Sequence, residues 1–127
     1  MPKPAVGGVH PSGPRLRVVI EPDVAIGPGK ADLLEAIRDT GSISAAGRKL
    51  GMSYRRAWLL VDELNQHLGA PVVEAQTGGA KGGGAALTAT GREVLERYRN
   101  MEAACREVIA GDVQALRNLI RRNQRQK

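Results

Sequence analysis

Aromatic residues are scarce in this sequence of 127 residues, which contains one tryptophan, two tyrosines and no phenylalanine. The core must therefore be built mainly from alanine, leucine, valine and isoleucine, which suits closely packed helices. The single cysteine, Cys105, excludes an intramolecular disulfide and is typical of a reducing compartment. The two histidines, His10 and His67, lie far apart, and no spaced set of cysteine and histidine ligands is present. We therefore predict no metal site, no cofactor and no enzymatic activity.

Long apolar runs are absent as well. None approaches the roughly 18 residues that span a bilayer, and the N-terminus lacks the apolar core of a signal peptide. We therefore expect a cytoplasmic protein that does not enter a membrane. The length of the chain predicts one domain.

Positive charge is what the sequence has in excess. It carries 19 lysines and arginines against 13 aspartates and glutamates, a net charge of +6. This balance favours a polyanionic partner, although charge alone does not distinguish DNA from RNA or from a membrane surface.

The stretch 41–68 predicts two helices joined by a tight turn. Ser42 and Ser53 are placed to cap them, because a serine hydroxyl accepts a hydrogen bond from a free amide of the first helical turn. Gly51 lies between them, where a positive φ is often needed. Each helix carries an apolar stripe at helical spacing, formed by Ile43, Ala46 and Leu50 in the first and by Ala57, Val61, Leu64 and Leu68 in the second. This pattern is typical of a helix-turn-helix, although ordinary packed helices also show it.

The residues before this pair complete a small domain. Residues 1–14 contain four prolines and three glycines, so we expect a disordered tail. Residues 15–21 alternate apolar and polar side chains except at Val19, which predicts a half-buried strand with Leu16, Val18 and Ile20 facing inward.

A third helix is predicted over residues 28–40. Pro28 suits its first turn, Leu33, Leu34 and Ile37 face inward, and Gly41 ends it. This helix supplies the third element that a helix-turn-helix needs to bury its apolar faces.

A glycine-rich hairpin follows the pair, with strands over residues 70–76 and 85–88 and a tip over residues 77–84. Glycine amides approach a phosphate closely, and Lys81 adds a positive charge. The tip is neither a Walker loop, which needs Gly-Lys followed by serine or threonine, nor a dinucleotide fingerprint, which needs a following helix. A hairpin without any ligand is the competing interpretation.

Residues 88–110 predict a long helix, capped by Thr88 or Thr90. Its apolar residues recur at spacings of four and three: Val94, Tyr98, Met101, Cys105 and Val108. Such a seam either pairs with its copy in a second subunit or packs on its own domain. We interpret Cys105 as a buried hydrophobe rather than a reactive thiol.

Gly111 and Asp112 are expected to end this helix. Residues 111–127 would then form a short basic helix or tail with five basic residues and one acidic residue. We interpret this segment as a solvated surface rather than a nucleic-acid contact.

These motifs together resemble the N-terminal DNA-binding domain of ModE-type molybdate-responsive regulators, a winged helix related to that of LysR-type regulators. The resemblance covers about residues 15–109 and is carried by Gly-Ser-Ile-Ser-Ala-Ala (41–46), Ser-Tyr-Arg-Arg-Ala-Trp (53–58), Thr-Gly-Gly-Ala-Lys-Gly-Gly-Gly-Ala (77–85) and Gly-Arg-Glu-Val-Leu (91–95). The first motif also fits LysR-type proteins, whereas the second and third are specific to the ModE branch.

The resemblance implies roles for individual residues. The second helix of the pair becomes the recognition helix, residues 77–84 the wing, and the helix from Thr88 a dimerisation helix. Arg55 or Arg56 would contact guanine, the commonest specific contact in the major groove. Trp58 is expected to pack between the helices rather than to stack on a base. The wider DNA-binding set is Ser44, Arg48, Ser53, Tyr54, Arg55, Arg56, Thr77, Gly79, Lys81 and Gly83, with Ser44, Arg48, Ser53 and Lys81 on phosphates.

Full-length ModE-type regulators continue into a region that binds molybdate or tungstate, for which a chain ending at Lys127 leaves no room. We therefore do not extend oxyanion sensing to this chain, and a separate sensor protein becomes a partner to consider. The prediction is a mainly α winged helix-turn-helix over residues 15–110 that acts as a dimeric, sequence-specific regulator binding double-stranded DNA. The competing hypothesis is an interaction module that docks a separate sensor through the winged helix.

Overall fold

The computed structural model of the protein describes residues 14–76 and 84–126. These two segments contain four helices and two antiparallel hairpins of short strands. In chain order the elements are β1 (Val18–Glu21), β2 (Val24–Ile26), α1 (Pro28–Thr40), α2 (Ile43–Lys49), α3 (Tyr54–Leu68), β3 (Val73–Gln76), β4 (Gly84–Leu87) and α4 (Ala89–Arg125). Helix α1 contacts α2, α3, α4 and β4, so one apolar core joins all the helices.

The first hairpin departs from the predicted pattern. Strand β1 pairs with β2 in antiparallel register, with Val18 opposite Ile26. Leu16 and Val18 pack against the core as predicted, but Ile20 is 57% exposed, so its predicted inward orientation is wrong. The register shifts between Val19 and Glu21, and such an irregularity breaks the alternation of faces along a strand.

Helix α1 confirms its predicted bounds. Pro28 lies in its first turn, and Gly41 ends it with a φ of +72°, a conformation that favours glycine. Leu33, Leu34 and Ile37 are fully buried, as their spacing predicts. Because α1 lies at the centre of the domain, it positions every element that carries a functional residue.

The second hairpin is confirmed for its two strands. Val73 lies opposite Leu87 and Gln76 opposite Gly84, and the Ala85 amide donates a hydrogen bond of 2.8 Å to the Gly41 carbonyl. This bond fixes β4 to the end of α1. The wing residues proposed to bind DNA, which are Thr77, Gly79, Lys81 and Gly83, lie outside the described residues.

The start of α4 is packed tightly against the residue that precedes β3. Thr88 caps the helix, since its hydroxyl accepts a hydrogen bond of 3.0 Å from the Gly91 amide. A Cβ atom added at Gly91 would lie 2.1 Å from the Val72 carbonyl oxygen. Only a glycine allows this approach, which holds the second hairpin and α4 together.

The prediction that Gly111 and Asp112 end the helix is wrong, because α4 runs without a break from Ala89 to Arg125. A glycine within a helix costs only about 1 kcal/mol relative to alanine, and good helix-forming residues on both sides overcome that cost. Residues 111–127 are therefore not a separate short helix over their described part. They extend α4 beyond the domain.

The face of α4 that packs on the domain also differs from the predicted seam. Its buried residues are Gly91, Leu95, Tyr98 and Glu102. Val94 and Met101 only flank this face, Cys105 is half-buried, and Val108 is 83% exposed. The predicted seam assumed a strict repeat of 3.5 residues per turn, from which a straight helix of 3.6 drifts. The buried face also includes the charged Glu102, so a pattern of apolar residues alone does not reveal it.

Tyr98 is fully buried within its own domain, so its predicted contact with a second subunit is wrong. Its hydroxyl donates a hydrogen bond to the Leu16 carbonyl, which ties the segment before β1 to α4. Burial of the ring, followed by the negative charge of Glu102, raises the pKa of Tyr98 to about 12.

The neighbouring Arg99 joins α4 to α1. Its guanidinium donates hydrogen bonds of 2.8 Å to Asp32, 3.0 Å to Glu35 and 2.8 Å to Glu102. Asp32 and Glu102 are buried, so this group forms an ionic cluster at the edge of the core. The guanidinium of Arg99 thereby forms ion pairs with three carboxylates.

Gly91→Ala should destabilise the protein by about 1–3 kcal/mol, because the added methyl group overlaps backbone atoms of Val72. Gly111→Ala is the matched control. Apart from the adjacent backbone of α4, no heavy atom of the described residues lies within 4 Å of the position of its added methyl group, so this variant should gain about 0.5–1 kcal/mol of helix stability. Urea unfolding followed by circular dichroism measures both values. Equal effects at the two positions would contradict the packing described for Gly91.

Tyr98→Phe should lower the free energy of unfolding at neutral pH by about 0.5–1.5 kcal/mol, since the Leu16 carbonyl loses its donor. The raised pKa of Tyr98 adds a pH dependence to this difference. The folded state holds the phenolic proton more tightly than the unfolded state, whose pKa is about 10. Its contribution is therefore complete below pH 10 and is lost as the pH rises towards 12.

Thermal unfolding between pH 8 and pH 12 tests this dependence. The wild-type and Tyr98→Phe curves of Tm against pH should converge above pH 10. Tyr54→Phe, at an exposed tyrosine, should follow the wild type throughout. Parallel curves for Tyr98→Phe and the wild type would contradict the role given to the buried hydroxyl.

Candidate nucleic-acid interface

Helix α2 forms as its capping residue predicts. The Ser42 hydroxyl accepts a hydrogen bond of 3.0 Å from the Ala45 amide and so satisfies a donor of the first turn. Ile43, Ala46 and Leu50 are buried in the core. The opposite side of α2 therefore faces solvent, where Arg48 and Lys49 are exposed.

The turn between α2 and α3 depends on two glycines. Gly51 adopts a φ of +71°, as predicted for this turn. A Cβ atom added at Gly47 would lie 3.3 Å from the Met52 carbonyl and 3.5 Å from the Ala57 Cβ, so the two helices approach closely here. The Met52 amide closes the turn with a hydrogen bond of 2.9 Å to the Gly47 carbonyl. This packing fixes the angle between α2 and α3.

Helix α3 presents its polar end to solvent. The Ser53 hydroxyl accepts a hydrogen bond of 3.0 Å from the Arg56 amide, which confirms it as the cap. Ala57, Val61 and Leu64 are buried as predicted, whereas the predicted stripe residue Leu68 is 38% exposed. Tyr54, Arg55 and Arg56 are all exposed in the first turn.

The two arginines of the first turn point in different directions. Since successive residues of a helix are about 100° apart, Arg55 lies roughly 150° from the centre of the buried stripe. Arg56 lies only about 105° from it, on the side of Glu63. The pKa of Glu63 is lowered by its hydrogen bond with Lys30 and, more weakly, by the charge of Arg56. Arg55 is therefore the arginine that points most directly away from the domain.

Four cations surround this end of α3. They are Arg48 and Lys49 of α2 and Arg55 and Arg56 of α3, and all are exposed. Within residues 14–76 and 84–126, none of the four forms an ion pair with a carboxylate. The Arg48 guanidinium donates a hydrogen bond of 2.9 Å to the Ser44 hydroxyl, which brings Ser44 into the same surface. We call this surface the basic face.

The basic face ends near the middle of α3. Asp62 is exposed there and accepts a hydrogen bond of 3.2 Å from Gln66. A carboxylate at this point repels a phosphate backbone, so the N-terminal half of α3 is the part suited to an anionic partner.

Trp58 is not placed as predicted. It is 42% exposed rather than packed between the helices, since Ala57, Val61 and Leu64 fill the inner side of α3 without it. Its ring makes an edge-to-face contact with Tyr54, with ring centroids 6.3 Å apart. Helical spacing already indicates this exposure, because Trp58 lies about 90° around α3 from the centre of the buried stripe.

Other kinds of site find little support in the described part of the chain. Residues 14–76 and 84–126 hold no group of three or more histidine, cysteine, aspartate or glutamate side chains suited to a metal ion. No helix of these segments has both the length and the apolar character needed to cross a membrane.

Comparison with known proteins identifies the domain. The family described as "Bacterial regulatory helix-turn-helix protein, lysR family" matches residues 30–92, from the first turn of α1 to the first turn of α4. The chain carries a LysR-family helix-turn-helix domain. This domain contains α2, α3 and the complete basic face.

Relatives of the chain confirm the resemblance to the ModE group. It is 45% identical over 85 residues to the "Molybdenum-pterin-binding protein MopB" of Rhodobacter capsulatus, covering 67% of this chain and 32% of that protein. It is 34% identical over 117 residues to the "Molybdenum transport protein ModE" of Azotobacter vinelandii, covering 82% and 43%. It is also 41% identical over 71 residues to the "DNA-binding transcriptional dual regulator ModE" of Escherichia coli (strain K12), covering 56% and 27%. The chain thus spans less than half the length of these relatives.

A solved structure confirms the winged-helix fold. The LysR-family domain and its long helix resemble the chain in the "Crystal structure of CbnR_DBD-DNA complex", with a TM-score of 0.52 and 25% sequence identity. The similarity covers 68% of this chain and 94% of that chain. The predicted fold class, a mainly α winged helix-turn-helix with a long C-terminal helix, is therefore confirmed.

Proposed function

We propose that this protein is a transcriptional regulator that binds double-stranded DNA sequence-specifically and places α3 in the major groove. The observation that carries the proposal is the basic face, four exposed cations around the start of a LysR-family recognition helix that form no ion pair with any described carboxylate. Such unpaired charges attract the phosphates on both sides of a groove. The N-terminal end of the recognition helix is also the part that contacts base edges in helix-turn-helix proteins.

The position of each side chain suggests whether it contacts a base or a phosphate. Arg55 points directly outward and is the best-placed group for a bidentate contact with guanine. Arg48, Lys49 and Ser44 lie on α2, at the side of the groove, where phosphate contacts fix the position of the protein. Lys81 and the wing glycines keep their proposed phosphate contacts, which rest on the sequence alone.

We also propose that the regulator is a dimer formed through the far half of α4. Beyond the domain, Ile109, Val113, Leu116 and Ile120 recur at spacings of four, three and four. Each of these four residues lies 18 positions, or about five helical turns, after one residue of the buried face. That face is formed by Gly91, Leu95, Tyr98 and Glu102. The face that packs on the domain therefore continues along the extended helix, where Ile109 and Val113 are half-buried and Leu116 and Ile120 are exposed. A second copy of this helix would cover it.

Two of the three relatives have names that mention molybdenum, but we do not propose that this chain binds a molybdenum oxyanion. We propose that any signal from such an oxyanion reaches this domain from a separate sensor protein. A cytoplasmic location fits this function, because the DNA lies there in bacteria.

Binding to DNA of varied sequence and at varied salt tests the main proposal. A duplex selected from a random library by the protein should bind with an affinity that falls steeply as salt rises, because bound cations displace counterions from phosphates. Arg55→Ala should weaken binding by about 1–3 kcal/mol and reduce the preference for the selected sequence. Lys81→Ala should weaken all duplexes alike.

Arg106→Ala provides the matched control, since it removes one exposed arginine from α4, outside the basic face. It should leave both affinity and sequence preference unchanged. An affinity that is independent of salt, or equal for all duplexes, would contradict DNA recognition and favour a module that binds another protein.

Sedimentation at micromolar concentration tests the dimer. The wild-type protein should be a dimer, and Ile120→Glu should shift it to a monomer because a carboxylate would enter the apolar face. Asn118→Glu, on the opposite side of α4, introduces the same charge and should leave the dimer intact. A monomeric wild type, with and without DNA, would contradict this part of the proposal.

Half-sites in the selected DNA should lie about one helical turn, or a multiple of it, apart.

A further inference from the structure

Two of the three aromatic residues of the chain lie on the exposed side of the recognition helix. Tyr54 is 57% and Trp58 42% exposed, although large apolar side chains this scarce would be expected in the core. A contiguous apolar patch on a protein surface usually marks a contact with a partner. The exposure of these two rings therefore indicates a binding partner.

The two rings hold each other in place. They lie one helical turn apart, with centroids 6.3 Å apart and an interplanar angle of 80°, the edge-to-face geometry that aromatic pairs favour. Each ring limits the freedom of the other, so Trp58 is already ordered before any partner binds. A group ordered in advance loses less entropy when it binds.

The surroundings of Trp58 identify the class of partner. It lies about 60° around α3 from Arg55 and one turn further along the helix, so the two side chains approach the same surface. The exposed Arg55 on this side of α3 favours an anionic partner. Duplex DNA combines phosphates with one kind of apolar group in the major groove, the 5-methyl group of thymine.

We infer that Trp58, supported by Tyr54, contacts a thymine methyl group in the major groove and so determines part of the sequence specificity. The inference rests on the proposed DNA-binding function and adds a second base-reading group beside Arg55. A rigid ring on a helix reaches the edge of a paired base without unstacking it. Stacking on unpaired bases, as in proteins that bind single strands, is not needed.

Deoxyuridine tests the contact because it removes only the methyl group of thymine. In the duplex selected by the protein, each thymine is replaced in turn and the affinity is measured from the anisotropy of a labelled strand. Each half-site should contain one thymine whose single replacement weakens binding about fourfold, the value of burying one methyl group. Deoxyuridine outside the bound sequence should have no effect.

A cycle of protein and DNA changes assigns this effect to Trp58. Trp58→Ala should bind the thymine and deoxyuridine duplexes equally, because the partner of the methyl group is gone. Leu68→Ala truncates another partly exposed apolar side chain at the far end of α3 and should keep the fourfold preference. Because the deoxyuridine measurement uses the wild-type protein, it stands even if a variant folds poorly.

Fluorescence gives an independent measurement, since Trp58 is the only tryptophan in the chain. Binding of the selected duplex should reduce quenching of its emission by acrylamide at least twofold. The inference is overturned, with DNA binding intact, if the duplex binds but no thymine replacement changes the affinity beyond twofold. It is also overturned if Trp58→Ala keeps the preference for thymine.

Two other outcomes have distinct meanings. If no duplex binds even at low salt, the proposed function fails and this inference fails with it. If duplexes bind while Trp58 stays open to acrylamide, the aromatic pair belongs to an interface with another protein, and the thymine contact is wrong.

Discussion

The ionic cluster around Arg99 is the interaction on which the arrangement of the domain depends. Burial alone would lower the pKa of Arg99, but hydrogen bonds with Asp32 and Glu102 and the charge of Glu35 raise it, so the guanidinium stays charged. Removing one partner from such a cluster leaves a buried charge uncompensated, which is far more costly than losing a surface ion pair. The cluster therefore fixes α4 on α1. Because α1 also contacts α2, α3 and β4, it sets the position of α4 relative to the recognition helix.

This arrangement separates the positive charges into two groups with different tasks. Arg99, between α1 and α4, and Lys30, which pairs with Glu63 of α3, are bound to carboxylates and hold helices together. Arg48 and Arg55 have no such partner among the described residues and remain available to an external anion. The net charge of the chain conceals this division, since it counts a structural cation and a binding cation alike. A charge that already has an internal partner contributes little to the attraction of DNA.

The sequence predicted most accurately those features that depend on neighbouring residues. The caps at Ser42 and Ser53, the turn at Gly51 and the inward residues of α1 follow from local hydrogen bonding and helical spacing, and the structure confirms them. The errors concern contacts between distant segments. The buried face of α4 includes Glu102, whose burial depends on Arg99 and on Asp32 of α1, and no local pattern reveals such a partner. The error at Trp58 has a different cause: a tryptophan is usually buried, but helical spacing places this one outside the apolar stripe, and it is exposed.

Attraction and recognition are supplied by different chemical groups of the proposed interface. Cations such as Arg48 and Lys49 interact with any phosphate, so they raise the affinity for every sequence by a similar factor. Specificity needs groups that distinguish base edges, and these must be held at a defined position. The close contact at Gly47 fixes the angle of α3, and the contact between Tyr54 and Trp58 fixes the side chain that lies beside Arg55. In the proposed complex, a guanidinium and an indole so placed would distinguish guanine and thymine by different physical means, hydrogen bonding and methyl burial. A single short helix can in this way read two kinds of base pair.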